Sequence, residues 1–95
     1  MKLIIAEPVR IALNTLSNGD RQRVQAWLDR LRNWENDQFV QSQSVSLDLG
    51  GREVRMLRTS TDLRIFYTID QDTITVLDVA RKETILSSGN ITGAG

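Results

Sequence analysis

The chain has 95 residues, 40% of them apolar and 25% charged, the balance of a single globular domain rather than a disordered or membrane protein. Its 12 basic and 12 acidic side chains cancel, and it has no histidine and no cysteine. Those zeros exclude thiol nucleophiles, imidazole bases, disulfides, zinc clusters and haem ligation. Arginine, lysine, carboxylates, hydroxyls and the single tyrosine, Tyr67, must carry any chemistry. The cations are skewed: Lys2 and Lys82 are the only lysines, and the rest are arginine.

Lys2 to Ala6 is apolar and β-branched and reads as a strand. Its apolar run is too short for a signal-peptide core or a membrane span, so a cytoplasmic protein without membrane contact is expected. Pro8 then marks a helix start. Val9, Ala12, Leu13 and Leu16 fall three and four apart, on one helical face. Ser17-Asn18-Gly19-Asp20 breaks that helix and offers Ser17 as cap for the next. Val24, Trp27, Leu28, Leu31 and Trp34 form the second stripe, which makes both tryptophans core or interface residues. A turn this short predicts an antiparallel helical hairpin.

Residues 36–44 are polar and aperiodic and read as a loop. Everything after them reads as strand. Val45, Leu47 and Leu49 alternate with polar residues, Gly50-Gly51 is a hairpin turn, and Glu53 to Arg58 resumes the extended pattern. Gly50-Gly51 is no phosphate loop, because no Lys-Ser/Thr and no helix follow. Thr59 to Asp62 is a turn, and Gln71-Asp72 joins strands at Leu63–Ile69 and Thr73–Ala80. Asp70 and Asp72 are turn residues here rather than a metal pair. A flexible tail is expected over 87–95. The fold class predicted is α+β: an N-terminal strand and a helical hairpin packed on one face of an antiparallel sheet of three or four strands.

Pairing Asp70 with Thr73 sets a register in which Arg64 faces Val79, Phe66 faces Leu77 and Asp62 faces Arg81. Leu63, Ile65, Tyr67, Ile69, Ile74 and Val76 then lie under the helices, with Val54 and Met56. Arg64, Phe66, Leu77, Val79 and Arg81 lie on the open face, with Arg55 and Leu57. Arg55, Arg64 and Arg81 converge there, with Arg58 and Lys82 at the margins. Guanidinium forks match phosphate and carboxylate, so the cluster points to a polyanion or an acidic peptide. The alternative is a set of solvated charges paired with Asp62, Glu53 and Glu83. The same register puts Asp78 under the helices, where its carboxylate would need a partner such as Arg10 or Arg30.

From the helical hairpin through Leu63-Arg64-Ile65-Phe66-Tyr67-Thr68-Ile69-Asp70 to Leu77-Asp78-Val79-Ala80-Arg81-Lys82, the chain resembles the RelE/ParE toxin superfamily of type II toxin–antitoxin systems. The likeness spans residues 2–86 and implies a single toxin domain over 1–86. It implies a ribosome-dependent mRNA endonuclease that needs no metal or cofactor, in which the ribose 2′-OH attacks the adjacent phosphate. On that resemblance Arg64 matches the arginine of the family's "YR" motif. Arg81 or Lys82 matches the basic residue after the last strand, and Arg55 or Arg58 the basic positions of the strand before. Arg64, Arg81 and Arg55 are thus the expected catalytic residues, and Arg58 and Lys82 the expected RNA-phosphate contacts. Leu86 stands where a tyrosine often ends the motif, and Leu63 where an aromatic precedes the arginine. The resemblance also admits a non-catalytic inhibitor of DNA gyrase, or a decayed toxin that mainly binds its antitoxin. The expected partners are a small antitoxin protein together with the ribosome and mRNA, or gyrase in the alternative.

Overall fold

The two apolar stripes read from the sequence become the cover of one core. Helix α1 (Glu7–Thr15) carries Pro8 in its first turn, where a missing N–H loses no bond. Helix α2 (Asn18–Leu31) is capped by Ser17, whose Oγ accepts from the Asp20 amide at 3.2 Å. Val9, Val24, Leu28 and Leu31 are buried, and Ala12, Leu13, Leu16, Trp27 and Trp34 pack against them. Arg21 ties the helices together: its Nε and Nη2 donate to the Leu13 and Leu16 carbonyls at 3.0 and 3.3 Å. The Leu13 carbonyl also accepts from the Leu16 amide at 3.3 Å, so Arg21 reinforces the end of α1.

The structure, a computed structural model, describes residues 1–83, so the tail expected at 87–95 lies outside it. Strands β1 (Lys2–Ile5), β2 (Ser44–Leu49), β3 (Arg52–Arg58), β4 (Leu63–Asp70) and β5 (Thr73–Arg81) form one 5-stranded sheet in the order β1-β5-β4-β3-β2. Strands β2 to β5 are an antiparallel meander. The N-terminal strand joins the same sheet, parallel to β5, and the helices form the crossover between them. Gly50 and Gly51 both have positive φ, 65° and 82°, the geometry that a tight β2–β3 hairpin demands. Among the described residues no helix is long and apolar enough to cross a membrane.

The segment expected as loop is partly helical. A single 3-10 turn at Trp34–Asn36 leads into the short helix α3 (Gln38–Ser42). Asp37 is the cause: its Oδ1 accepts from the Val40 amide at 3.0 Å, and its carboxylate takes both Nε and Nη2 of Arg30 at 2.9 and 3.0 Å. Arg30, then the Val40 N–H, hold the Asp37 carboxyl below its ordinary range. Arg30 also lies over the stacked rings of Trp27 and Phe39. Local polar bonds, rather than a periodic apolar face, build this turn.

Tyr67 is fully buried among Leu57, Leu63, Ile65, Ile74 and Val76, as its strand position predicts. The Ser44 hydroxyl donates its one proton to the Val40 carbonyl at 2.9 Å. The 2.6 Å contact between Ser44 Oγ and the Tyr67 hydroxyl therefore has the tyrosine as donor. Tyr67→Phe is expected to lower unfolding free energy by about 1 kcal/mol in urea titration. The variant should keep whatever activity the protein has, since this hydroxyl is locked in the interior.

Candidate nucleic-acid interface

The register expected from the β4–β5 turn holds for only half of the hairpin. Asp70–Thr73, Ile69–Ile74, Thr68–Thr75 and Tyr67–Val76 pair as predicted. Leu77 then bulges out, and pairing resumes one residue later with Phe66–Asp78, Ile65–Val79, Arg64–Ala80 and Leu63–Arg81. A bulge reverses the facing of every residue beyond it. Val79 turns inward and is buried, while Asp78 turns outward and is exposed. The buried carboxylate expected at Asp78 does not exist.

The same shift removes Arg81 from the open face. Paired with Leu63, it reaches the helix side, where Nη2 meets Asp20 of α2 at 3.0 Å and Nη1 meets Asp62 at 3.1 Å. Arg81 fastens the start of α2 to the β3–β4 connection. Hydrogen bonding from Arg81 is the largest influence on Asp20, whose carboxyl is held below its ordinary range. Asp20 and then Asp62 keep Arg81 still more firmly protonated.

Strand β3 also faces the opposite way from the expectation. Leu57 pairs with Ile65 and Arg55 with Tyr67, so both lie on the helix side, and Val54 and Met56 lie on the open side. Leu57 is fully buried. Arg55 covers the core margin instead, its guanidinium 5.2 Å from the centre of the Trp34 ring and 3.6 Å from Glu53. A long arginine stem can coat apolar surface while its head stays polar. The expected trio of Arg55, Arg64 and Arg81 therefore does not share a face.

A different set does. Arg58 and Arg64 are a directly opposed cross-strand pair on the open face, with Ala80 beside Arg64 on β5. Lys82 lies just beyond the end of β5, and its amide donates to the Asp62 carbonyl at 2.7 Å. Arg64 is fixed by its own turn: Nη1 donates to the Thr61 and Leu63 carbonyls, both at 2.9 Å, leaving Nε and Nη2 unengaged. Thr59 holds that turn, its hydroxyl donating to the Leu63 carbonyl at 2.7 Å. Among the described residues no carboxylate lies within ion-pair distance of Arg58, Arg64 or Lys82. Like charges placed opposite each other destabilise a sheet unless something neutralises them, and nothing among the described residues does so here. Beside the arginine pair runs an apolar band from Val45, Leu47 and Leu49 through Met56 to Phe66, with Val54 buried within it. Pleat arithmetic with a single slip in β5 places Asp78 on this face, whereas Arg58 arrives there through the separate reversal of β3. The signal available was the charge of Asp78 at a position assigned to the core.

A cleft of about 280 Å³ on the far side, lined by Leu3, Ile5, Leu13, Leu28, Asp29 and Arg32, brings together no comparable set of cations.

No family model and no curated protein matches the sequence. Solved structures do match in three dimensions. The archaeal RelE–RelB complex from Pyrococcus horikoshii OT3 contains a chain that superposes with a TM-score of 0.67 at 20% identity, covering 85% of this chain and 93% of that one. A copper-bound mutant toxin from Helicobacter pylori superposes with a TM-score of 0.62 at 16% identity, covering 90% and 98%. The chain has the fold expected from the resemblance, over nearly the full length of both structures.

Arg81→Gln is expected to lower the melting temperature and leave anion affinity intact, the opposite of Arg64→Ala. The Asp20 carboxyl is depressed in the folded state, so its contribution is present above the unfolded pKa and fades as pH falls through the folded one. Stability of the parent should therefore drop on acidification below about pH 4, and Arg81→Gln should flatten that limb in thermal melts. Arg55→Ala should also destabilise, by about 0.5–1 kcal/mol for loss of the stacking on Trp34, without changing anion affinity.

Proposed function

We propose that this chain is the toxin of a type II toxin–antitoxin pair and that its open sheet face binds mRNA. The observation that carries the proposal is the opposed pair Arg58–Arg64, held on the helix-free face with no carboxylate to neutralise it. The end-to-end likeness to toxin structures supports the same reading. Arg58, Arg64 and Lys82 hold a backbone phosphate, and the charge developing on its oxygens falls among fixed donors. Attack by the neighbouring 2′-oxygen forms a cyclic phosphate and expels the 5′-oxygen. Lys82 is the group on this face suited to protonate that leaving oxygen, and solvent takes the 2′-OH proton. Tyr67 has no part in it.

The antitoxin covers the same face. The apolar band from Val45 to Phe66, next to unneutralised arginines, suits an acidic amphipathic segment that folds as it docks. One observation favours the non-catalytic alternative: the single tyrosine is buried and bonded to Ser44, and the chain has no histidine. In that case the face binds its antitoxin without cutting RNA.

Induced expression in a bacterial host distinguishes these readings when primer extension on mRNA and a gyrase supercoiling assay are run together. The toxin reading expects growth arrest with cleavage in translated messages, reduced about 10²-fold in Arg64→Ala and similarly in Arg58→Ala. Arg55→Ala and Arg81→Gln should retain cleavage in the folded fraction. Arrest without cleavage but with gyrase inhibition would replace the RNA reading, and absence of arrest would leave only antitoxin binding.

A further inference from the structure

Next to the cation row the open face carries a pair of side chains that phosphate binding does not use. Phe66 and Asp78 are directly opposed across β4 and β5, adjacent to the Arg64–Ala80 pair, and Met56 flanks Phe66 on β3. Phe66 is partly exposed and stands outside the core cluster. Asp78 is exposed and, among the described residues, forms no ion pair. Its Oδ1 accepts from the Val79 amide at 2.8 Å, which fixes the carboxylate and leaves Oδ2 unengaged. Alternate residues of a strand lie roughly 7 Å apart on one face, comparable to the reach from a nucleotide's phosphate to its base. A phosphate held by Arg58 and Arg64 thus sets its base over Phe66, with one edge toward Asp78.

We propose that Phe66 and Asp78 form a base-reading subsite selective for an unpaired guanine, an inference that rests on the RNA reading above. The aromatic face contributes stacking, which any base can supply. The carboxylate contributes the choice. It offers only acceptors, and guanine alone presents two adjacent donors, N1–H and the N2 amino group, on its Watson–Crick edge. Adenine and cytosine place an acceptor nitrogen beside their amino group. Uracil sets its single N–H between two carbonyls. Each of these three turns lone pairs toward the Asp78 oxygens, and guanine does not.

Fluorescence anisotropy with the full-length protein at low salt tests the subsite. The probes are a labelled uridine tetranucleotide and its variants with one guanosine, adenosine or cytidine. The guanosine probe should bind about tenfold more tightly than the others. Asp78→Asn keeps the acceptor for the Val79 amide but turns the free position into a donor, so it should abolish the preference without weakening the uridine probe. Phe66→Leu, which preserves apolar bulk, should weaken all four probes about fivefold or more. Equal affinity for the four probes, lost in Arg58→Ala and Arg64→Ala, would overturn the subsite and leave the RNA reading standing. A guanine preference that survives Asp78→Asn would do the same. Failure of the parent to bind any probe would overturn both.

Discussion

The bulge at Leu77 is the constraint on which the distribution of chemistry in this protein depends. Up to Val76, strand β5 alternates as its turn dictates, with Ile74 and Val76 in the core. Continued unchanged, that alternation would bury Asp78 and Ala80 and expose Val79. An isolated carboxylate in the core costs several kcal/mol, far more than the local loss of one ladder position. Slipping by one residue exchanges Asp78 for Val79 at the core and turns Asp78 and Ala80 outward. It also swings Arg81 to the helix side, where Asp20 and Asp62 receive it. One irregularity thus buries a valine, frees a carboxylate and takes Arg81 off the open face.

Arginine does several unrelated jobs in this small fold, most of them structural. Arg21 terminates a helix by binding its last carbonyls. Arg30 and Arg81 hold segments together through carboxylates, and Arg55 shields a tryptophan. The guanidinium suits all these tasks because it is planar, rich in donors and always charged. What sets Arg58 and Arg64 apart is that no carboxylate among the described residues pairs with them. They face each other at a cost in electrostatic energy, and Arg64 is steadied by backbone carbonyls, which orient its fork without cancelling its charge. A net charge of zero is compatible with this, since a phosphate within a few ångströms responds to the local cluster and not to the sum.

The sequence was legible wherever a periodic apolar pattern or a strict turn controlled the outcome. Both helical stripes, the Ser17 cap, the Gly50-Gly51 hairpin and the Asp70–Thr73 turn emerge as read. It was less legible where polar contacts decide. The α3 turn exists because Asp37 caps it and Arg30 grips Asp37, which is invisible to periodicity. Strand β3 carries apolar residues on both faces, Val54 and Met56 against Leu57, so alternation alone could not choose its side. The choice fell to Leu57 against Ile65, with the Arg55 stem lying along Trp34. Arg64 was placed correctly because its strand is unambiguous. Arg55 and Arg81 were not, because each sits where a strand's facing was set by a partner elsewhere in the chain.

The rearranged site also constrains the catalysis proposed above. With Arg55 and Arg81 engaged in structure, the groups left around Arg58 and Arg64 are guanidinium, ammonium and carboxylate, and the sequence offers no imidazole or thiol to join them. Proton transfer through such groups is inefficient, because acid–base catalysis works best when the pKa lies close to the working pH. Charge stabilisation carries no such requirement and can by itself supply a large part of a phosphoryl-transfer rate. On the RNA reading proposed above, the chemistry would be electrostatic first: a phosphate fixed against Arg58 and Arg64, with proton movement left to Lys82 and solvent. Such a site depends strongly on an RNA strand being already bent into the in-line geometry, since it cannot compensate for poor alignment with a strong base. A ribosome that holds the message in that geometry would supply what these side chains lack. The same face, offered free RNA, would bind it far better than it cuts it.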